Sequence, residues 1–160
     1  MIPGPTNFLI LILVLLVLDG IAAIIITLAK KEVKRRTAQA IFISYIFLVL
    51  YITMFSRELG SRGIISLTLF ETWGHSPEEH FNFISNIVLF LPMGFLVPFI
   101  WDRGFFATAG IGLLASLAIE TVQGITRLGF PQIDDVMTNT MGAMIGWIVW
   151  KVWKMATREL

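Results

Sequence analysis

The stretch FNFISNIVLFLPMGFLVPFIW, Phe81–Trp101, decides the fold. It holds no charged side chain, and a run of ~20 mostly apolar residues is what a helix needs to cross the hydrocarbon core of a bilayer. Pro92 and Pro98 lie inside it, a pattern that membrane helices tolerate because neighbouring groups take up the freed carbonyls. Downstream, Asp102-Arg103-Gly104 makes a tight turn into a second apolar run, Phe105–Thr126. A short polar loop from Arg127 to Asp135, with Gly129 and Pro131, leads to a third run, Val136–Trp153. Upstream lie a polar connection from Arg57 to His80, an apolar run Ala38–Ser56, a cationic loop from Lys30 to Arg36, and a first apolar run Asn7–Ala29. The pattern predicts an all-α integral membrane protein of five transmembrane helices, a single polytopic domain over residues 1–160.

Composition agrees with that class. Of 160 residues, 56% are apolar and 14% charged, against about 25% charged in ordinary soluble domains. A water-soluble chain this short leaves too much area exposed to hide so much apolar surface. The absence of cysteine removes disulfides, thiolate nucleophiles and cysteine metal sites. A formal charge of +1 gives no footprint for nucleic acid. His75 and His80 with Glu78 and Glu79 match no zinc spacing, so neither metal nor cofactor is expected. The head, Met1–Thr6, lacks the basic start of a secretory signal, and the first run reads as a retained helix.

Cationic residues favour cytoplasmic loops. With the loop after the first run inside, Lys30, Lys31, Lys34, Arg35, Arg36, Arg103, Lys151, Lys154 and Arg158 lie inside, and only Arg57, Arg62 and Arg127 outside. This places the N-terminus outside and the C-terminus inside. Trp147, Trp150 and Trp153 then sit near the inner interface as anchors. Residues Gly63–Phe70 form a short apolar segment suited to lying on the outer leaflet.

Polar groups within the spans are costly and ask for a partner or a task. On the fourth span Gly112, Ser116, Glu120, Gln123 and Arg127 fall on one helical stripe, and on the fifth so do Asp135, Asn139, Gly142 and Gly146. On the third, Asn82 and Asn86 share a face. The alternating topology brings Asn86, Glu120, Gln123, Arg127, Asp134, Asp135 and Asn139 to one depth, in the outer third of the membrane. They are the candidate ligand-binding set, and Glu120 is the candidate catalytic residue if there is catalysis. The small residues Gly112, Ser116, Gly142 and Gly146 predict close packing of the fourth and fifth spans. Asp19, near the middle of the first span, has no cationic residue at matching depth; it is a candidate for protonation or for a bond to Ser44.

Three runs carry a family resemblance. Asn86-Ile87-Val88-Leu89-Phe90-Leu91-Pro92-Met93-Gly94-Phe95-Leu96 resembles the N-I-L-L-F-x-P-x-G-F-L motif of VanZ-like membrane proteins. Ile119-Glu120-Thr121-Val122-Gln123 is similar to the family's I-E-x-x-Q, with Arg127 where an arginine often follows. Asp135-Val136-Met137-Thr138-Asn139-Thr140-Met141-Gly142-Ala143 is similar to its D-x-x-x-N-T-x-G-A. These motifs lie within residues 81–153. The chain departs from the pattern at Gln132, where a second aspartate is common, and in Ser66-Leu67-Thr68-Leu69-Phe70, which lacks the asparagine and proline of N-L-x-P-F.

The resemblance implies a multi-pass protein of the bacterial plasma membrane, linked to the cell envelope and to resistance against teicoplanin-type glycopeptides. The expected partner is a membrane lipid, a lipid-linked envelope precursor or a lipidated glycopeptide antibiotic, with no nucleic acid. Arg127 would contact phosphate or carboxylate, and Asn86, Gln123 and Asn139 would supply directional hydrogen bonds. An intramembrane enzyme is the first alternative, with Glu120 as acid or base and Asp134 and Asp135 on a divalent cation. A proton-coupled transporter or flippase is the second.

Overall fold

A computed structural model of the chain describes residues 31–55, 66–70, 77–127 and 131–157. The described residues form four α-helices and one isolated β-bridge. The first expected span, Asn7–Ala29 with Asp19, lies outside them. Helix α1 is Lys31–Phe55, α2 is Pro77–Trp101, α3 is Phe105–Thr126 and α4 is Ile133–Ala156. The Phe105–Thr126 run keeps the ends read from its sequence. The cationic segment is a correction: from Lys31 onward it is the first turns of α1, not a loop. Lysine, glutamate and arginine are good helix formers, and nothing between Lys31 and the apolar run breaks a helix. Similarly α2 begins at Pro77, whose fixed φ and missing N–H suit a first helical position, followed by Glu78 and Glu79 at the positive end of the helix dipole.

Three helices are long and apolar enough to cross a membrane, over Arg35–Met54, Glu79–Trp101 and Phe105–Thr126. Helix α4, the expected fifth span, is not among them. It carries Asp134, Asp135, Asn139, Lys151 and Lys154. Its acids and Asn139 are buried within the protein, together with Thr138.

Helix α4 is also the centre of the packing. Its contact with α2 is the most extensive in the fold and its contact with α3 comes next, while α2 and α3 touch little. The α2–α4 seam is built from backbone. A Cβ at Gly142 would overlap the Ile87 carbonyl, one at Gly146 the Leu91 carbonyl, and one at Gly94 the Ala143 carbonyl. Such close approach is what small residues allow between membrane helices, where van der Waals packing drives association. This corrects the expected use of the small-residue stripe. Gly142 and Gly146 face α2, whereas α3 meets α4 through Gly112 against Ala143 and Ser116 against Asn139. The step of three from Asn139 to Gly142 rotates the stripe by about 60° and swings it from one neighbour to the other.

Helix α1 packs on α2 and α3 through Tyr45, Val49 and Ile52, which join Leu89, Phe90, Met93, Val97 and Ile119 in one buried cluster. Pro92 offers no N–H, so the Val88 carbonyl lacks its usual helical donor. The Tyr45 hydroxyl donates to the next carbonyl, Leu89 O, at 2.8 Å. At the α2–α3 turn, Asp102 adopts φ 51° and ends α2. Trp153 packs on Phe95 and Phe99, and Trp150 is buried, so these two tryptophans fill the interior more than they form a belt.

Residues 66–70 are a strap across the other end. Ser66 N–H donates to Pro131 O at 3.0 Å and Ile133 N–H to Ser66 O at 3.1 Å, a parallel bridge to Gln132. Residues 66–70 of the segment expected to lie on the outer leaflet are tied to the α4 entrance, with Leu67, Leu69 and Phe70 exposed.

Candidate functional site

Three helix ends meet under the strap: the start of α2, the end of α3 and the start of α4. Each brings polar side chains, which need partners once they are buried between helices. Asn86, on the second turn of the expected span, donates through Nδ2 to Asp135 Oδ1 at 2.7 Å, joining α2 to α4. Asn139, one turn beyond Asp135, donates through Nδ2 to Ser116 Oγ at 2.9 Å, joining α4 to α3. One turn beyond Ser116, Glu120 accepts from the Gln132 N–H at 3.0 Å through Oε2. Gln132 is the N-cap of α4, and its side chain makes no capping bond. Gln123 donates through Nε2 to the Thr53 carbonyl at 3.0 Å, joining α3 to α1. Asp134 points elsewhere, accepting the Phe70 N–H at 2.7 Å and so holding the strap. Phe70 itself has φ 61°, in the left-handed region.

Glu120, Gln123, Asp134, Asp135 and Asn139 are all buried, and Asn86 is partly so. Gln123 Oε1 and Asn139 Oδ1 find no hydrogen-bond donor among the described residues. Buried carbonyl oxygens are rarely left unmatched, because desolvating one without a partner costs about 1–3 kcal/mol. Both oxygens can accept from a hydroxyl or amine of a ligand, or from water.

One expected member stands apart. Arg127 follows the last residue of α3 with φ 57°, and its side chain is exposed. Among the described residues no hydrogen bond or ion pair holds its guanidinium. Asn82 shares the sequence stripe of Asn86 but is exposed. Asp134 and Asp135 also diverge, since neighbours on a helix point about 100° apart. Among the described residues, no three His, Asp or Glu side chains are grouped to hold a metal ion.

Beside Glu120 lies a half-open cavity of about 420 Å³, within the usual range for ligand sites. Val136, Pro131 and Glu120 are buried at its base; Leu117, Thr121 and Ile125 of α3 and Leu67 of the strap are exposed at its rim. Gly124 lies beneath Pro131, where a Cβ would stand 3.2 Å from the proline ring. Sequence reasoning missed four contributors: Ser116 as a polar partner, the Thr53 carbonyl, the Gln132 N–H and the strap. Ser116 carried a signal, one helical turn before Glu120, and the strap segment was marked by its apolar run, though not by its place in the site.

A model of the VanZ/LLP1 family matches residues 42–154. Protein VanZ of Enterococcus faecium is 34% identical over 83 residues, which are 51% of this chain and 49% of that protein. The alignment thus spans about half the length of the curated relative. No solved structure matches the chain.

Proposed function

This chain belongs to the VanZ/LLP1 family, and on that premise we propose that it is a multi-pass plasma-membrane protein of the bacterial cell envelope that binds an amphiphile at the strap end. The ligand is the head group of a membrane lipid, of a lipid-linked envelope precursor or of a lipidated glycopeptide. Binding it lowers susceptibility to glycopeptides of the teicoplanin type. The strap end faces outward, as the bias of lysine and arginine toward the other loops supports.

One observation carries this reading. Glu120 is 7% exposed and tied to the α4 N-cap, at the base of a cavity of about 420 Å³. A buried ionisable group at membrane depth, beside a cavity and near two unmatched carbonyl oxygens, exceeds what helix packing requires. The exposed guanidinium of Arg127 stands at the end of the same helix, free to meet an anionic group at the membrane surface.

The test is expression in a glycopeptide-susceptible bacterium, reading teicoplanin susceptibility and the surface binding of a fluorescent lipoglycopeptide. Wild type is expected to lower susceptibility, and to lower surface binding if the ligand is a lipid or lipid-linked precursor or raise it if the ligand is the lipoglycopeptide itself. Glu120→Gln keeps the shape and removes the ionisable carboxyl, so it should abolish the effect while the protein still inserts and unfolds at the wild-type midpoint. Full protection by a correctly folded Glu120→Gln protein would overturn the proposal, as would a wild type without effect.

A further inference from the structure

The cavity beside Glu120 is lined mainly by carbon-bearing surface: Leu67, Leu117, Ile125, Pro131, Ile133 and Val136. Its polar part is Glu120, Thr121 and Gln132, and the larger apolar part offers a head group nothing to bond. Its mouth lies on α3, a helix apolar enough to cross a membrane, and is framed by Leu117, Thr121 and Ile125, which share one edge at steps of four. These three are exposed, so the solvent at the mouth is hydrocarbon, not water. From Leu117 to Ile125 is about 12 Å of helix. One leaflet supplies about half of the ~30 Å core, so the groove covers most of a single leaflet's depth and no more. Glu120 and Thr121 line its middle, and the other polar groups near it lie toward one end: Gln132, and Arg127 two residues beyond Ile125.

We propose that this groove seats one acyl chain of a phospholipid from the leaflet on the strap side. The chain enters sideways between α3 and Leu67, lies along Leu117–Ile125 over Val136, and leaves its phosphate at the level of Arg127. Amphiphile recognition is then divided, with the polar residues reading the head and the groove holding the tail. This deepens the function proposed above and rests on the same site. An isoprenoid tail, far longer than one leaflet is deep, would not be contained.

The experiment uses the full chain in nanodiscs doped with a phospholipid carrying a diazirine in mid-chain. After illumination, labelled peptides are mapped. The expected result is enrichment on residues 117–125 and 136 over the exposed faces of α1 at Phe47 and Tyr51 and of α4 at Ile148 and Val152. Thr121→Trp fills the mouth from an exposed position whose hydroxyl, among the described residues, bonds only the Leu117 carbonyl of its own helix, so the fold should survive and the enrichment should be lost. Competition by an unlabelled long-chain polyprenyl phosphate, but not by phospholipid, would overturn the assignment of the occupant. Even labelling of all exposed faces, or enrichment that persists in Thr121→Trp, would overturn the groove. Labelling is also measured in Glu120→Gln. Groove labelling that persists while Glu120→Gln leaves glycopeptide protection intact would sink the head-group reading and spare this one. Even labelling beside a loss of protection would do the reverse.

Discussion

Replacing Gly142 by alanine tests the architecture at its tightest point. The added methyl would overlap the Ile87 carbonyl and stand 3.0 Å from Phe90 Cβ. The obstructing atoms are backbone, which cannot rotate away, so α2 and α4 must part along their main seam. Overpacking of this kind costs about 1–3 kcal/mol, and rigid neighbours put Gly142 at about 3. Against this, alanine gains about 1 kcal/mol of helix propensity over glycine. The net loss is about 2 kcal/mol, roughly thirtyfold in the folded-to-unfolded ratio. Gly110→Ala is the control: it lies in α3 with nothing within 4 Å of the new methyl, so it should gain the propensity term alone, about 1 kcal/mol. Reversible unfolding in mixed micelles, followed by tryptophan fluorescence, measures both. Equal shifts for the two variants would refute the seam, as would a stabilised Gly142→Ala.

Arg127 occupies a left-handed position at the end of α3, so Arg127→Gly should leave stability unchanged or raise it by up to about 1 kcal/mol in the same assay; a clear loss would count against the outward, uncoupled side chain. Asp134→Ala removes the acceptor of the Phe70 N–H and should speed amide hydrogen exchange at residues 66–70 while the interior of α2 stays protected; unchanged exchange at Phe70 would contradict the strap's anchorage. Because the chain has no cysteine, Lys34→Cys and Glu78→Cys give clean topology reporters: an impermeant thiol reagent on intact cells should label position 78 and spare 34, and the opposite pattern would invert the proposed orientation.

The helices were legible because an apolar run between charged turns has one reading at this length, and Phe105–Thr126 shows it residue for residue. The site was legible only in part. Stripes on α3 and α4 mark which polar groups share a face, and so they mark Glu120, Gln123, Asp135 and Asn139. A stripe says nothing beyond the last helical turn. Arg127 continues the spacing in sequence, but its backbone has already left the helix, and the residue is exposed. Nor does a stripe name its neighbour, so Gly142 and Gly146 could be seen as a packing surface without showing that α2 is what they meet. The segment of the strap was noticed, but its docking was not, for another reason: its pairing to Pro131–Ile133 is made by backbone atoms, which leave no mark on the choice of side chains.

Helix α4 touches α2 and α3 far more than they touch each other, and this has a consequence for biosynthesis. The ribosome delivers α2 and α3 before the helix that joins them exists. Until α4 arrives, Asn86 lacks Asp135, Ser116 lacks the Asn139 amide, and Glu120 lacks the Gln132 N–H. The nascent hairpin therefore waits with polar groups exposed to lipid or sheltered by the insertion machinery, and α4 enters as a wedge that satisfies them together. Asn86, Glu120 and Asn139, among the residues proposed to bind ligand, also lock α4 in place, so a chain truncated before Ile133 would display to membrane proteases groups that α4 otherwise conceals.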